Sequence, residues 1–124
     1  MTASSIESPT TDLVSVDVSG SDSSVCVTAT GEVDSTSAPV LRQQLDTLLD
    51  GEIRELTVDL ARVTFLDSAG LCVLAAAHRR AARQGVTMRV LASSRAVIRP
   101  LQITGLWELL KAERVDGRAE QGVA

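Results

Sequence analysis

The sequence predicts a single α/β domain with a largely parallel sheet. Three observations support this prediction: short runs rich in β-branched residues, longer segments with leucines at helical spacing, and regular alternation between the two. In chain order the predicted elements are β-β-α-β-α-β-α-α. Strands that alternate with helices pair in parallel through right-handed crossovers, so only the first strand is expected to run antiparallel.

The first two strands are predicted from residues 13–18 and 25–29. Both runs are rich in valine, and β-branched side chains favour strands. Polar residues 20–22 separate the runs, which is typical of a hairpin. Residues 1–11 are rich in serine and threonine and have few groups to bury, so a disordered N-terminal tail is expected there.

A helix is predicted over residues 37–50. Leucines recur at helical spacing in this segment, Pro39 occupies the first turn, where its missing N–H costs nothing, and Gly51 supplies the stop. Residues 56–60 have the sequence Leu-Thr-Val-Asp-Leu and are the predicted third strand. Residues 63–66 lead from that strand into the next helix.

The second helix is predicted over residues 68–84 and ends at Gly85. Three arginines near its C-terminal end, Arg79, Arg80 and Arg83, interact favourably with the helix dipole. These arginines either face solvent or form a rim that faces an acidic partner. The sequence leaves both interpretations open.

The remaining elements are one strand and two short helices. Residues 86–91 are the predicted fourth strand, and helices are expected over residues 94–103 and 106–111. The polar residues 116–124 form a loose C-terminal tail in this interpretation. The folded domain is therefore expected to span residues 12–115.

Composition excludes several function classes. The 124 residues carry a formal net charge of −4 and contain one Phe, one Trp and no Tyr. An acidic chain is not attracted to phosphate backbones or anionic lipids, and this one has few aromatic rings on which bases could stack. The longest apolar run, residues 71–77, is far shorter than the roughly 20 residues of a membrane-spanning helix. We expect no nucleic-acid partner, no membrane partner and a cytoplasmic location.

The residues that commonly carry catalysis or metal binding form no recognisable pattern. Cys26 and Cys72 match neither a disulfide framework nor the spacing of metal ligands. His78 is the sole histidine and has no ligand set around it, and no phosphate-loop motif is present. We therefore expect no metal, no cofactor and no enzymatic activity.

The most informative segment is residues 65–71, Phe-Leu-Asp-Ser-Ala-Gly-Leu. An apolar strand end turns through two polar residues into a helix, so Asp67 or Ser68 can cap the helix, and capping is the role expected of Ser68. Gly70 costs about 1 kcal/mol of helix propensity relative to alanine, which predicts a close approach by another group. The free N–H groups at this helix start are also the best anion site that the sequence suggests.

This segment resembles the signature of the STAS family, whose best-known soluble members are bacterial anti-anti-sigma factors. Three further elements of the family pattern occur in the family's order: Gly31-Glu32-Val33-Asp34, Gly85-Val86-Thr87-Met88 and Ile103-Thr104-Gly105-Leu106. The resemblance covers residues 13–115. It implies the STAS fold, an α/β fold with a mixed, largely parallel sheet of four to five strands and about four flanking helices.

The resemblance implies an anti-sigma factor antagonist that acts by partner switching. In the family, the unphosphorylated protein binds an anti-sigma factor that is also a serine-protein kinase, and so frees a sigma factor. Phosphorylation at the start of the signature helix adds charge to the contact surface and separates the complex. The partner-binding residues that the resemblance implies are Asp34, Asp67, Ser68, Ala69, Gly70 and Cys72. For Asp34, a turn or helix-capping role is the simpler interpretation.

Ala69 occupies the position of the family's phosphoacceptor and cannot be phosphorylated. Either Ser68 accepts phosphate instead, or the chain escapes the kinase and binds its partner constitutively. The second interpretation is favoured because alanine leaves no hydroxyl where the kinase would act. Ser68 is kept as the candidate phosphoacceptor.

Three other hypotheses remain. Cys72 is either a small apolar residue or a redox-active thiol, alone or paired with Cys26. The first strand is expected at the sheet edge, where it could pair with a second copy in a homodimer. The resemblance also allows an alternative function, an accessory subunit of a transport or lipid-trafficking complex.

Overall fold

A computed structural model describes residues 14–115, which form one five-stranded sheet and four helices. The predicted tails at residues 1–11 and 116–124, and the domain boundary at residue 12, lie outside the described residues. In chain order the elements are β1 (Val14–Gly20), β2 (Ser24–Val33), α1 (Ala38–Leu49), β3 (Glu55–Leu66), α2 (Ser68–Gln84), β4 (Thr87–Ala92), α3 (Arg95–Ile103), α4 (Leu106–Leu109) and β5 (Glu113–Arg114).

The strands follow one another across the sheet in chain order, from β1 to β5. β1 and β2 pair antiparallel, and the other three pairings are parallel. Because parallel crossovers are right-handed, a sheet that grows in one direction carries its connecting helices on one face. The buried apolar side chains of strands and helices accordingly form one core cluster. The predicted mixed, largely parallel sheet is confirmed.

The two faces of the sheet differ in character. Leu56, Val58 and Leu60 of β3 are fully buried in the core cluster. Thr57 and Asp59, which alternate with them, are only half-buried. Successive side chains of a strand point to opposite faces, so the sheet has an apolar face under the helices and a more polar face behind it.

Two strands are longer than predicted. β2 continues through Gly31, which adopts a φ of +113°, and β3 is one unbroken strand rather than residues 56–60 followed by a connection. The pairing register of β2 and β3 shifts after Thr28 and again after Gly31. Such bulges interrupt the alternation of apolar and polar residues, and the prediction of a separate short strand was wrong for that reason.

The C-terminal region also departs from the predicted order. α4 ends at Leu109, two residues before the predicted end, and the sheet gains β5, which the predicted order lacked. β5 consists only of Glu113 and Arg114, which pair with Leu91 and Ala92 of β4. Two exposed charged residues show no alternation of apolar and polar side chains, so the sequence does not predict a strand here. The strand is defined by its pairing with β4.

The sheet has two edges within the described residues, β1 and β5. The prediction that the first strand is an edge strand is confirmed, and its pairing with a second copy stays a prediction. No helix within residues 14–115 combines the length and the hydropathy needed to cross a membrane.

Candidate functional site

α2 begins directly after β3 with Asp67 as its N-cap residue. The Asp67 carboxylate accepts hydrogen bonds from the backbone N–H groups of Ala69 at 2.9 Å and Gly70 at 3.5 Å. Ser68 is the first residue inside the helix, so the expectation that Ser68 caps it is wrong. The Asp67 carboxylate also occupies two of the donors of the expected anion site, which makes a second anion there unfavourable.

The segment before α1 is a turn organised by Asp34. Its carboxylate accepts hydrogen bonds from the backbone N–H groups of Thr36 at 2.9 Å and Ser37 at 3.1 Å. The Ser37 side chain is fully buried; its hydroxyl donates to the Glu32 carbonyl at 2.7 Å and accepts from the Asp34 N–H at 2.9 Å. The interpretation of Asp34 as a turn residue is confirmed.

The two turns lie side by side at the carboxyl edge of the sheet. Val33 at the end of β2 pairs in register with Leu66 at the end of β3. The backbone N–H of Asp67 donates to the Val33 carbonyl at 3.2 Å, which ties the two turns together. The structure therefore brings Asp34 and Asp67, two of the residues implied by the family resemblance, to adjacent strand ends.

Gly70 is buried where α2 approaches the sheet. A Cβ atom at this position would lie 2.4 Å from Leu66 Cδ1 and 2.9 Å from Val33 Cγ1, both inside normal contact distance. The predicted close approach is confirmed, and the approaching group is the protein's own sheet. Gly70 thus allows α2 to pack against the sheet, and we expect no direct partner contact from this buried residue.

A groove of about 420 Å³ opens between the first halves of α1 and α2. We call it the α1–α2 groove. It is lined by Ser35, Ala38, Pro39, Arg42, Ala69, Cys72, Val73, Ala76 and Arg79. Ala69 and Cys72, implied by the resemblance, lie in it, and exposed Ser68 lies next to Ala69 in the chain. The small side chains of α2 keep the groove open.

The rim of the α1–α2 groove is positively charged. Arg42 and Arg79 line it, and a continuation of about 170 Å³ reaches Arg83. Arg42 forms an exposed ion pair with Asp46 at 3.8 Å. Arg79 and Arg83 make no side-chain ion pair or hydrogen bond within residues 14–115. Arg79 and Arg83 are thus exposed and unpaired within these residues, which fits both interpretations, and a rim that faces an acidic partner stays a prediction.

Arg80, the third arginine of this set, has a structural role. Its guanidinium forms ion pairs with Asp50 and, at 3.6 Å, with Asp46. One turn later on α2, the Gln84 side-chain amide donates to the Leu49 carbonyl at 2.7 Å. These contacts join the C-terminal halves of α1 and α2, while the N-terminal halves remain apart and form the groove.

The two cysteines lie on opposite sides of the sheet. Cys26 of β2 alternates with the core residues Val25 and Val27, so its side chain lies on the polar face, with Sγ 3.8 Å from Thr28 Oγ1. Cys72 is exposed on α2, which packs on the apolar face. Both thiols are free, and the hypothesis of their pairing within one chain is wrong because the sheet separates them. Redox activity of Cys72 alone stays a prediction.

Phe65 is a candidate contact residue that sequence reasoning missed. It is 44% exposed at the carboxyl end of β3, two residues before Asp67. The sequence suggested a buried strand end, but the register shift between β2 and β3 turns Phe65 outward. Its exposure could not be anticipated from alternation alone. Within residues 14–115, no three His, Cys, Asp or Glu side chains group together as metal ligands.

Comparison with known proteins identifies the family. The family model described as "Mlab, STAS domain" matches residues 16–111. The anti-sigma-B factor antagonist of Bacillus subtilis (strain 168) is 32% identical over 110 residues, which covers 89% of this chain and 97% of that relative. The crystal structure of an anti-sigma factor antagonist from Mycobacterium paratuberculosis matches with a TM-score of 0.75 and 30% identity, covering 86% of this chain and 89% of that chain.

A more distant structure shares the fold. The anti-sigma factor antagonist SpoIIAA in its unphosphorylated form matches with a TM-score of 0.72 at 18% identity, over 89% of this chain and 100% of that chain. The sheet order, the signature turn at the start of α2 and the family model all agree. The chain belongs to the STAS family.

Proposed function

We propose that this protein is an anti-sigma factor antagonist that binds an anti-sigma factor at the α1–α2 groove and so releases a sigma factor. The observation that carries the proposal is the position of the groove, which opens at the signature turn of α2. The Bacillus subtilis relative, which this chain matches over 97% of its length, is named as an antagonist of this kind. Because sigma factors act on transcription, the proposed site of action is the cytoplasm.

The groove suits a protein partner by shape. Ala69, Cys72 and Ala76 present small side chains along α2, so a partner backbone can approach the helix closely. Phe65 stands exposed near the same edge of the sheet. Buried aromatic anchors carry much of the energy of protein interfaces, so we propose that Phe65 inserts into the partner.

The groove also suits a partner by charge. Arg42 and Arg79 line the groove, and Arg83 extends the positive rim. Complementary charge raises association rates and orients the complex, so the partner surface is expected to be acidic. No His, Asp or Glu lines the groove itself, and its continuation adds only Asp46, so it offers no acid–base pair and its proposed role is binding without catalysis.

Constitutive binding is the form of regulation that we propose. Ala69 has no hydroxyl, and the Asp67 carboxylate already accepts the N–H groups of Ala69 and Gly70. A phosphate on Ser68 would therefore lie beside a carboxylate and compete for occupied donors, which is unfavourable. This arrangement supports escape from a serine-protein kinase.

Kinase treatment tests this regulation. Incubation with a kinase-type anti-sigma factor and ATP is expected to leave the parent protein unmodified. Ala69→Ser restores a hydroxyl at the family's acceptor position and should create a substrate, detected as the mass of one phosphate by mass spectrometry. A phosphate mapped to Ser68 in the parent protein would contradict constitutive binding.

A matched pair of α2 variants tests the function and the surface together. Ala76 and Ala82 are both exposed on α2, but only Ala76 lines the groove. Against the anti-sigma factors of the source organism, we expect Ala76→Trp to weaken binding by at least about tenfold and Ala82→Trp by less than about twofold. The parent protein should also displace a sigma factor from its preformed complex with the anti-sigma factor.

Two results would count against the proposal, and they are distinguishable. If no anti-sigma factor binds the parent protein, the function is wrong. If the parent binds and both tryptophan variants bind equally well, the function stands and the groove is the wrong surface. The alternative of a transport or lipid-trafficking subunit has no structural feature in its favour among residues 14–115.

A further inference from the structure

A second concavity lies away from the α1–α2 groove. It has a volume of about 430 Å³ and lies beside α3 and β5. The lining residues are Ser93, Arg95, Ile98, Arg99, Gln102 and Arg114. We call it the arginine concavity. None of these residues belongs to the signature turn of α2 or to the α1–α2 groove.

Two elements, α3 and β5, and the connection between β4 and α3 build the arginine concavity. Arg95, Arg99 and Gln102 occupy one face of α3, since residues four and three apart align on a helix. Arg114 of β5 pairs with Ala92, the last residue of β4, which places it at the carboxyl ends of these two parallel strands.

Within the described part of the chain, no ion pair compensates the positive charge of the concavity. The side chains of Arg95, Arg99 and Arg114 form no ion pair or hydrogen bond within residues 14–115. The neighbouring carboxylate, Glu113, is engaged by Arg89, whose Nη2 lies 3.1 Å from both of its oxygens. Three guanidinium groups around one concavity repel one another, and a bound anion relieves that repulsion. A cluster of three unpaired arginines is unexpected in a chain of net charge −4.

The local backbone adds to the positive potential. α3 starts after Ser94, whose hydroxyl donates to the Val63 carbonyl at 3.2 Å and does not cap the helix. The first N–H groups of α3 therefore have no side-chain cap. Here α3 differs from α2, where the Asp67 carboxylate satisfies the corresponding groups. The positive end of the α3 dipole thus adds to the charge of the arginines.

The chemistry of the lining selects the class of ligand. Guanidinium groups present paired donors that match the oxygens of a phosphate, and the Gln102 amide adds a further donor. The volume is within the range of small-molecule pockets. No aromatic side chain lines the concavity, so stacking of a nucleobase contributes nothing there.

We propose that the arginine concavity binds a small phosphate-bearing anion, held by Arg95, Arg99 and Arg114. This site is separate from the docking surface, and its occupancy does not depend on the proposed antagonist function. The recognised chemistry is the phosphate group itself. A nucleotide and an inorganic polyphosphate are therefore expected to bind through the same contacts.

Calorimetric titration of the full chain with inorganic pyrophosphate tests the proposal. We expect binding at one site that weakens as the salt concentration rises, because the contacts are ionic and partly exposed. Arg99→Gln and Arg114→Gln should each weaken binding by roughly tenfold or more, as expected for lost hydrogen bonds between charged groups. Adenosine diphosphate should bind no more than about twofold tighter than pyrophosphate, because the lining offers no stacking partner.

Arg54→Gln is the matched control. Arg54 is exposed and precedes β3, so the variant loses the same charge at the amino edge of the sheet, opposite the concavity. It should change the affinity by less than about twofold, which separates local contacts from a general effect of net charge. All three arginines exchanged are on the surface, so circular dichroism should show unchanged folding.

Backbone amide chemical shifts give the location of binding. Pyrophosphate should shift the resonances of residues 93–102 and 114 and leave those of residues 69–79 unchanged. The proposal is overturned if pyrophosphate does not bind, if Arg99→Gln and Arg114→Gln bind as tightly as Arg54→Gln, or if the shifts map to the start of α2. Each of these results leaves the antagonist function untouched.

Discussion

The starts of α1 and α2 use the same residue types in different ways. Each follows a strand end, and in each an aspartate carboxylate accepts backbone N–H groups. At α1 the serine hydroxyl of Ser37 is buried and bonded on both sides. At α2 the serine that begins the helix, Ser68, is exposed and lies outside the cap.

The two helix starts differ in whether their polar side chains are bonded within the chain. The α1 turn satisfies its polar groups internally, so its aspartate and serine support the fold. The α2 start satisfies its N–H groups through Asp67 alone and presents Ser68 and Ala69 beside the α1–α2 groove. A surface that small residues keep open is suited to a partner, and the two neighbouring turns thus divide structural and binding roles between them.

The largest expected effect is at Gly70. Its replacement by valine places side-chain atoms against Leu66 and Val33, which already lie within 3 Å of a Cβ built there. We expect Gly70→Val to lower the free energy of unfolding by about 3 kcal/mol, at the upper end of overpacking costs. Urea denaturation measures this change.

The control for this variant is Gly51→Val. A Cβ at Gly51 meets only the Leu48 carbonyl oxygen, at 3.4 Å. The expected loss of unfolding free energy is below about 1 kcal/mol. Equal losses in the two variants would show that α2 does not pack closely on the sheet at Gly70.

The second effect compares the two serines directly. Ser37→Ala removes a fully buried hydroxyl and leaves the part-buried Glu32 carbonyl and Asp34 N–H without this partner, so we expect a loss of about 2 kcal/mol. Ser68→Ala removes an exposed hydroxyl and should change stability by less than about 0.5 kcal/mol. The same denaturation experiment applies to both. A larger loss at Ser68 than at Ser37 would reverse the assignment of roles.

The smallest effect concerns the cap itself. Asp67→Ala removes the acceptor for the Ala69 and Gly70 N–H groups and should cost about 1 kcal/mol of unfolding free energy. Asp67→Asn keeps an acceptor oxygen, and asparagine caps about as well as aspartate, so most of the stability should be retained. If Asp67→Ala and Asp67→Asn lower the free energy of unfolding equally, the cap hydrogen bonds do not account for the stability that Asp67 contributes.

The order of elements could be predicted from the sequence because it depends on local patterns. Helical spacing of leucines, Pro39 at the first turn and Gly51 at the stop define α1 to within one residue at each end. The close approach at Gly70 was also predictable, because glycine lowers helix propensity and is favoured in a first helical turn where a side chain would not fit. The identity of the group that approaches it depends on tertiary packing.

Features created by distant pairing could not be predicted in this way. β5 exists through its pairing with β4, and Phe65 is turned outward by a register shift between β2 and β3. Asp and Ser are both favoured N-cap residues, so residue type alone does not predict which of Asp67 and Ser68 caps α2. The backbone conformation at the end of β3 makes Asp67 the cap. The arginine concavity joins α3 to β5, and no sequence spacing brings Arg114 beside Arg99.

Hydrogen exchange of the complex with the anti-sigma factor shows whether the partner covers the α1–α2 groove. We expect slower amide exchange on binding at residues 35–42 and 69–79, the segments that contribute the lining of the α1–α2 groove, and unchanged exchange in α3. Protection confined to α3 and β5, with none along the groove, would contradict binding at the groove.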